Sequence, residues 1–277
     1  MLEEILHKLI IAMIAGFTEF FCVSGAPHRL LYENMTGFVP DDPMLNLFLH
    51  IGCLVALILS CKKRLGYLLR ADRQDRYTRR RRNRHLDMNA VREAKMVKVA
   101  MVPLLLSFLF YLQTSAWLTG PAMLALFLTL NGFLLFLPGI LPQGNKDSSM
   151  MSPLDSILMG LGGALSVIPG VSRIAGLVTG GMVRGVSQHN ALEYALLVSV
   201  PALAVVICFD VYAVAVAGLT VTALGFLIWV LAAAASCGSA YLGIMLMRYI
   251  AVKGGFHSFC YYSWGMAMFS FVLYLIV

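Results

Sequence analysis

The alternation of apolar and polar positions divides the chain into long hydrophobic stretches and interrupted ones. A helix that spans a membrane needs about 20 mostly apolar residues. Six stretches meet or approach that length, at residues 44–61, 97–112, 118–141, 191–212, 219–247 and 256–277. The pattern therefore predicts six transmembrane helices.

Two further apolar stretches, 5–32 and 156–182, are interrupted near VSGAP (23–27) and IPGVSR (168–173). Each half is too short to cross a membrane, which favours two re-entrant helix hairpins that enter and leave by the same face. Non-helical backbone is tolerated at membrane depth only where it is buried in protein or lines a wet cavity. We therefore expect both bends to line a site.

The order of these elements is hairpin, three spans, hairpin, three spans, which indicates an internal repeat that aligns Ser24 with Ser172. Because three is an odd number, the second half begins on the opposite face of the membrane. Inverted repeats of this kind are typical of secondary transporters. We predict one all-α polytopic membrane domain, with a first repeat at 1–145 and a second at 146–277.

Composition and charge agree with a membrane protein and set its orientation. The chain is 60% hydrophobic and 13% charged, with a mean hydropathy of +0.81, against about 25% charged residues in soluble domains. Most of its basic residues fall in 62–98, and the positive-inside rule makes this loop cytoplasmic. Both termini are then outside, and no cleavable signal peptide is expected. The same orientation places outside the acidic residues Glu3, Glu4, Glu33, Asp41 and Asp42.

An Arg-rich run, RADRQDRYTRRRRNRH (70–85), lies within this basic loop. Clustered Arg residues neutralise phosphates in nucleic-acid-binding proteins. Here the run lies between two predicted spans, which favours a topological determinant that contacts anionic lipid headgroups. We expect no nucleic-acid partner.

Polar residues in the two bends are the candidate site, because charged groups inside a membrane are costly and usually functional. They are Glu19, Ser24 and His28 in the first hairpin and Ser172 and Arg173 in the second, where Gly170 precedes them and Thr179 follows. Arg173 beside a Gly-rich turn suits phosphate, since a guanidinium and a helix N-terminus both favour anions. Alternatively, Glu19 and Arg173 form only a structural ion pair. His28 has two roles open, nucleophile or acid/base catalyst and structural hydrogen-bonding group.

The motifs resemble those of the integral-membrane undecaprenyl-diphosphate phosphatases of the bacitracin-resistance type. GFTEFFCVSGAPH (16–28) is similar to that family's G-x-T-E-F-x-P-V-S-S-T-G-H, and IPGVSR (168–173) to its P-G-x-S-R. Three other segments resemble its spans: LFLHIGCLVALIL, ALEYALLVSVPAL and GGFHSFCYYSWGMAM. The resemblance implies six spans, two re-entrant pairs, and hydrolysis of undecaprenyl diphosphate to undecaprenyl phosphate and inorganic phosphate. It places the site at the outer face of the bacterial inner membrane, in lipid-carrier recycling.

The resemblance also implies residue roles. Glu19, Ser24 and His28 would be catalytic, with Glu19 also a ligand of a divalent cation, Mg²⁺ or Ca²⁺. The phosphate-binding residues would be Gly170, Ser172 and Arg173, and we add Thr179 as a nearby hydroxyl in place of those that this chain lacks.

Four polar groups of the family motifs are missing here. Ala15 replaces a carboxylate, Gly25 a serine, Ile174 a serine and Leu177 a threonine. Because these losses remove reaction groups more than anion-binding groups, two functions stay open. We prefer a divergent polyprenyl-diphosphate phosphatase. The alternative is a binder or transporter of polyprenyl phosphate that does not hydrolyse it.

Small residues at 232–240, AAAASCGSA, allow helices to approach closely. They suit either a homodimer face or packing within one subunit.

Overall fold

The computed structural model describes residues 2–40, 42–78, 87–115, 120–218 and 221–276. Some predicted features lie outside these ranges: Asp41, residues 79–85 of the Arg-rich run, and the ends of three predicted spans at 118–119, 219–220 and 277. The described residues form α-helices and contain no β-strand, which confirms the predicted all-α class. An isolated bridge pairs Lys146 with Val186.

Over the described ranges, the first half of the chain contains six α-helices: α1 (Leu2–Glu19), α2 (Gly25–Thr36), α3 (Pro43–Thr78), α4 (Met88–Ser107), α5 (Tyr111–Ser115) and α6 (Pro121–Ile140). The second half contains five: α7 (Pro153–Ala164), α8 (Arg173–Val183), α9 (Gln188–Ala217), α10 (Ala223–Lys253) and α11 (Phe259–Ile276). Short 3-10 turns lie at Phe108–Phe110, Leu165–Val167 and Phe256–Ser258.

Within the described part of the chain, four helices are long and apolar enough to cross a membrane: Pro43–Tyr77, Ala122–Ile140, Gln188–Ala217 and Ala223–Lys253. They coincide with four of the six predicted stretches, and the chain is a multi-pass membrane protein. The stretches at 97–112 and 256–277 are also helical where they are described. The first of these is shared between α4, a 3-10 turn and α5, and the second lies mostly in α11. The number of six spans stays a prediction.

Both predicted helix breaks are present. Residues 20–24 separate α1 from α2, and residues 165–172 separate α7 from α8. The helices of each pair pack against each other. Gly170 has a φ of 98° and a Cβ there would lie 2.5 Å from Phe127 Cβ, so this turn requires glycine.

Helices from the two halves pack against each other in matching pairs. Helix α3 contacts α9, and α6 contacts α11. Helix α1 packs on α10, while α7 packs on α4, so each broken helix lies against a long helix of the other half. These contacts bring the two breaks to the middle of the molecule.

The small residues at 232–240 pack within the chain. A Cβ at Gly52 would lie 2.3 Å from the Ala233 carbonyl oxygen, and one at Gly16 would lie 2.3 Å from the Ser236 carbonyl oxygen. Helices α1 and α3 therefore approach the backbone of α10 as closely as glycine permits. Of the two roles open for this segment, the structure uses packing within one subunit, and the homodimer stays a prediction.

Asn131 of α6 joins the two breaks by hydrogen bonds and is fully buried. Its Oδ1 accepts the Ser172 N–H at 2.9 Å, and its Nδ2 donates to the Cys22 carbonyl at 3.2 Å. Ser172 Oγ donates to the Phe21 carbonyl at 3.1 Å. Backbone groups that the missing helical turns leave unpaired are thus satisfied by Asn131 and, for the Phe21 carbonyl, by Ser172 of the opposite break.

We expect Asn131→Leu to lower the free energy of unfolding by about 2 kcal/mol or more, because it leaves buried backbone groups of both breaks unpaired. Thermal unfolding in detergent measures this loss. Asn34→Leu is the matched control, since the exposed Asn34 side chain donates only to the Leu30 carbonyl. An equal loss in both variants would show that Asn131 does not join the breaks.

Candidate active site

A cavity of about 340 Å³ lies between the two helix breaks. Residues of both breaks line it, together with side chains of α3, α5 and α9. Five of the predicted site residues meet there: Glu19, Ser24, Gly170, Ser172 and Arg173. The expectation that the bends share a site agrees with this placement.

An ion pair between Arg173 and Glu19 crosses from one hairpin to the other. Arg173 Nη2 donates to Glu19 Oε1 at 2.5 Å, and the Arg173 side chain is only 8% exposed. Arg173 Nε is buried without a hydrogen-bond partner among the described residues. Because a buried charged donor left unpaired is costly, the guanidinium retains donor capacity that an anion in the cavity would satisfy.

Two helix N-termini face the same cavity. Ser24 is the N-cap residue of α2, and its side chain makes no capping hydrogen bond. Ser172 is the N-cap residue of α8, and its side chain accepts the Ala175 N–H. The first turn of α2 also lines the cavity, through Gly25 and Ala26. Helix N-termini carry partial positive charge, so the pair of them adds to Arg173 in favouring an anion.

His28 does not line this cavity. Its Nδ1 lies 2.7 Å from the Ser24 carbonyl oxygen and its Nε2 lies 2.7 Å from the Tyr262 hydroxyl. A carbonyl only accepts, so Nδ1 carries the proton and Nε2 accepts from Tyr262. With both ring nitrogens engaged, the geometry favours the hydrogen-bonding role among the two roles that the sequence left open.

Thr179 also lies away from the cavity, and its hydroxyl donates to the Leu134 carbonyl at 3.1 Å. Thr179 therefore does not line the polar cavity.

A second cavity, of about 490 Å³, lies on the other side of the first break. Its lining is mainly apolar and includes Met13, Phe17, Phe21 and Phe259. Thr18 and Val23 line both cavities. An apolar space therefore adjoins the polar one.

Sequence reasoning missed several polar residues of the first cavity, among them Arg29, Asn46, His50 and Asp210. Arg29 Nε donates to Glu33 at 2.7 Å and its Nη1 donates to Asn46. His50 and Asp210 form a pair between α3 and α9. For His50 and Asp210 the available signal was an ionisable side chain inside a predicted span, which marks a functional site by default.

The predicted cation has no ready-made protein site. Within the described ranges, no group of three or more His, Cys, Asp or Glu side chains converges on a point. Glu19, the expected ligand, is engaged by Arg173, whereas hard cations bind where several oxygen ligands converge. The cation dependence stays a prediction, and we derive no step through a metal ion.

The fold and cavity define an integral membrane protein with a polar cavity between two interrupted helices. The sequence matches the family described as bacitracin resistance protein BacA over residues 8–269, and the chain belongs to this family. It is similar to an undecaprenyl-diphosphatase of Methanobrevibacter smithii, with 28% identity over 94% of each chain. Similar proteins of the same name occur in Halothermothrix orenii (24% identity, 94% of this chain and 95% of the relative) and Neisseria gonorrhoeae (24%, 75% and 73%). The family resemblance drawn from the motifs is confirmed.

We expect Arg173→Met to destabilise the protein by about 2–3 kcal/mol, because it leaves the Glu19 carboxylate without its partner. Adding Glu19→Leu should recover most of that loss, since no unpaired charge then remains. Thermal unfolding of both single variants and the double variant in detergent measures the coupling. Strictly additive losses would contradict the ion pair.

Proposed function

We propose that the protein hydrolyses undecaprenyl diphosphate to undecaprenyl phosphate and inorganic phosphate, as the names of its relatives indicate for them. The observation that supports this most directly is the cavity in which Arg173 and the N-termini of α2 and α8 face one space. Such an arrangement matches the charge of a diphosphate better than that of any neutral substrate.

In this proposal Arg173 binds non-bridging oxygens of the diphosphate through the guanidinium donors that Glu19 leaves unused. Fixed donors of this kind stabilise the charge that develops on the terminal and leaving phosphates. Glu19 positions Arg173, and the Ser24 hydroxyl and the first turn of α2 supply further donors. Ser172 holds the second break in place through its bonds to Asn131 and Phe21.

The four losses from the family motifs weaken this site less than the sequence suggests. Ile174 and Leu177 are fully buried and do not line the cavity. Leu177 packs against α7, close to Gly163. The hydroxyls missing at these two positions are therefore missing from the apolar core rather than from the cavity.

Thr18 compensates in part for the serine missing at Gly25. A Cβ built on Gly25 would lie 3.0 Å from Thr18 Oγ1, so the threonine hydroxyl stands beside the position of the lost serine side chain. Thr18 also lines the cavity. Of the four losses, the carboxylate missing at Ala15 then has no evident substitute in the cavity wall. Because the other three either lie outside the cavity or have Thr18 beside them, the site supports retained hydrolysis over simple binding.

The adjoining apolar cavity suits the first isoprene units of the lipid. Hydrocarbon that leaves water for such a lining is stabilised by about 25 cal/mol per Å² of apolar surface. Thr18 and Val23 line both cavities, so the two cavities adjoin. One lipid can therefore place its diphosphate beside Arg173 and the start of its hydrocarbon chain beside Phe17.

The finer topology is also part of this proposal. We infer six spans, two re-entrant hairpins and inverted repeats at 1–145 and 146–277 in the bacterial inner membrane. The helix contacts support a two-fold relation between the repeats, because α3 pairs with α9, α6 pairs with α11, and α1 on α10 is matched by α7 on α4. The basic loop 62–98 would face the cytoplasm and contact anionic headgroups, with both termini and the site opening outward.

Purified protein should release inorganic phosphate from undecaprenyl diphosphate. Arg173→Lys should lower kcat about 10²- to 10³-fold, because a lysine cannot reproduce the planar donors of the guanidinium. Arg184→Lys is the matched control, since Arg184 bonds to Asp155 outside the cavity. A wild-type protein that binds the lipid phosphate without releasing phosphate would instead be the non-hydrolysing binder or transporter.

Reporter fusions test the proposed orientation. Alkaline phosphatase fused after Val277 should be active, because the C-terminus is outside, and the same enzyme fused after Thr78 should be inactive. A fluorescent protein that folds only in the cytoplasm should give the opposite result at both points. Activity of alkaline phosphatase at Thr78 would reverse the orientation.

A further inference from the structure

His50 and Asp210 form a hydrogen-bonded pair at the wall of the polar cavity. His50 Nδ1 lies 2.6 Å from Asp210 Oδ2, and both side chains are mostly buried. His50 lies on α3 and Asp210 on α9, two long helices that pack against each other. Both side chains line the cavity that holds Arg173.

The pair fixes which ring nitrogen of His50 is available. A carboxylate only accepts hydrogen bonds, so Nδ1–H donates to Asp210 and a neutral ring carries its lone pair on Nε2. Nε2 has no hydrogen-bond partner among the described residues, whereas both nitrogens of His28 are engaged. A carboxylate that orients an imidazole in this way is the arrangement found where histidine acts as a base.

The other charged groups near the His50 ring are each held by a partner. The charged groups acting on His50 are Asp210 on α9, Glu19 on α1 and Arg173 on α8. Glu19 is held by Arg173, and Asp210 is held by His50 itself. The Nε2 lone pair of His50 is therefore directed to no protein donor among the described residues.

We propose that His50 is the general base of the hydrolysis and that Asp210 is its positioning residue, an inference that rests on the proposed function. Water forms the new bond from its oxygen to the terminal phosphorus while the bond from that phosphorus to the bridging oxygen breaks. The water proton moves to His50 Nε2, and the bridging oxygen leaves with the electron pair on the lipid monophosphate. Asp210 keeps the ring in the required tautomer and stabilises the imidazolium that forms.

Phosphate release from undecaprenyl diphosphate by His50→Gln tests the step. We expect kcat to fall about 10²- to 10⁴-fold, the usual contribution of a general base, with KM changed by less than about threefold. In the wild type, kcat should rise with pH as the imidazole loses its proton, and this limb of the profile should be absent from His50→Gln. His189→Gln, on the same helix as Asp210 and outside the cavity, is the matched control.

Asp210→Asn gives a second readout that a purely structural pair would not produce. It preserves a hydrogen bond to Nδ1 but favours the wrong tautomer, so kcat should fall while KM and thermal unfolding stay near wild type. Wild-type protein without phosphate release would overturn the proposed function. Wild-type release that is retained, with its pH limb, in His50→Gln and in Asp210→Asn would overturn the role of this pair alone.

Discussion

The backbone of an interrupted helix inside a membrane must find hydrogen-bond partners within the protein, and the site depends on how this chain meets that requirement. The Asn131 side chain bonds to the backbone of both breaks, and the Ser172 hydroxyl bonds from the second break to the Phe21 carbonyl of the first. The same bonds hold the N-termini of α2 and α8 at one cavity. The hydrogen bonds that satisfy the interrupted backbone thus also place the positive ends of two helices at the cavity.

The ion pair between Arg173 and Glu19 leaves part of the hydrogen-bonding capacity of the guanidinium unused. One guanidinium nitrogen is bound by Glu19, and Nε is buried without a partner among the described residues. A fully satisfied ion pair would suffice to join two hairpins. Remaining donor capacity beside two helix N-termini favours an anion-binding site, and the neighbouring apolar cavity suits an anion attached to a hydrocarbon chain.

The sequence predicted the features that local chemistry controls. Gly, Pro and Ser marked both breaks, and buried charge marked Glu19 and Arg173. It missed the pairing of His50 with Asp210, because these residues lie 160 positions apart and meet only through the packing of α3 on α9. It also could not show that Ile174 and Leu177 face the core, since the direction of a side chain at a helix start depends on the neighbouring helices. Tyr262, which engages His28, is likewise distant in sequence.

The most direct test is an experimental structure of the protein with a non-hydrolysable analogue of undecaprenyl diphosphate. Our account predicts the diphosphate in the cavity between the breaks, within hydrogen-bond distance of Arg173, with the first isoprene units in the cavity beside Phe17. A diphosphate bound elsewhere, with the surroundings of Arg173 unchanged, would contradict it.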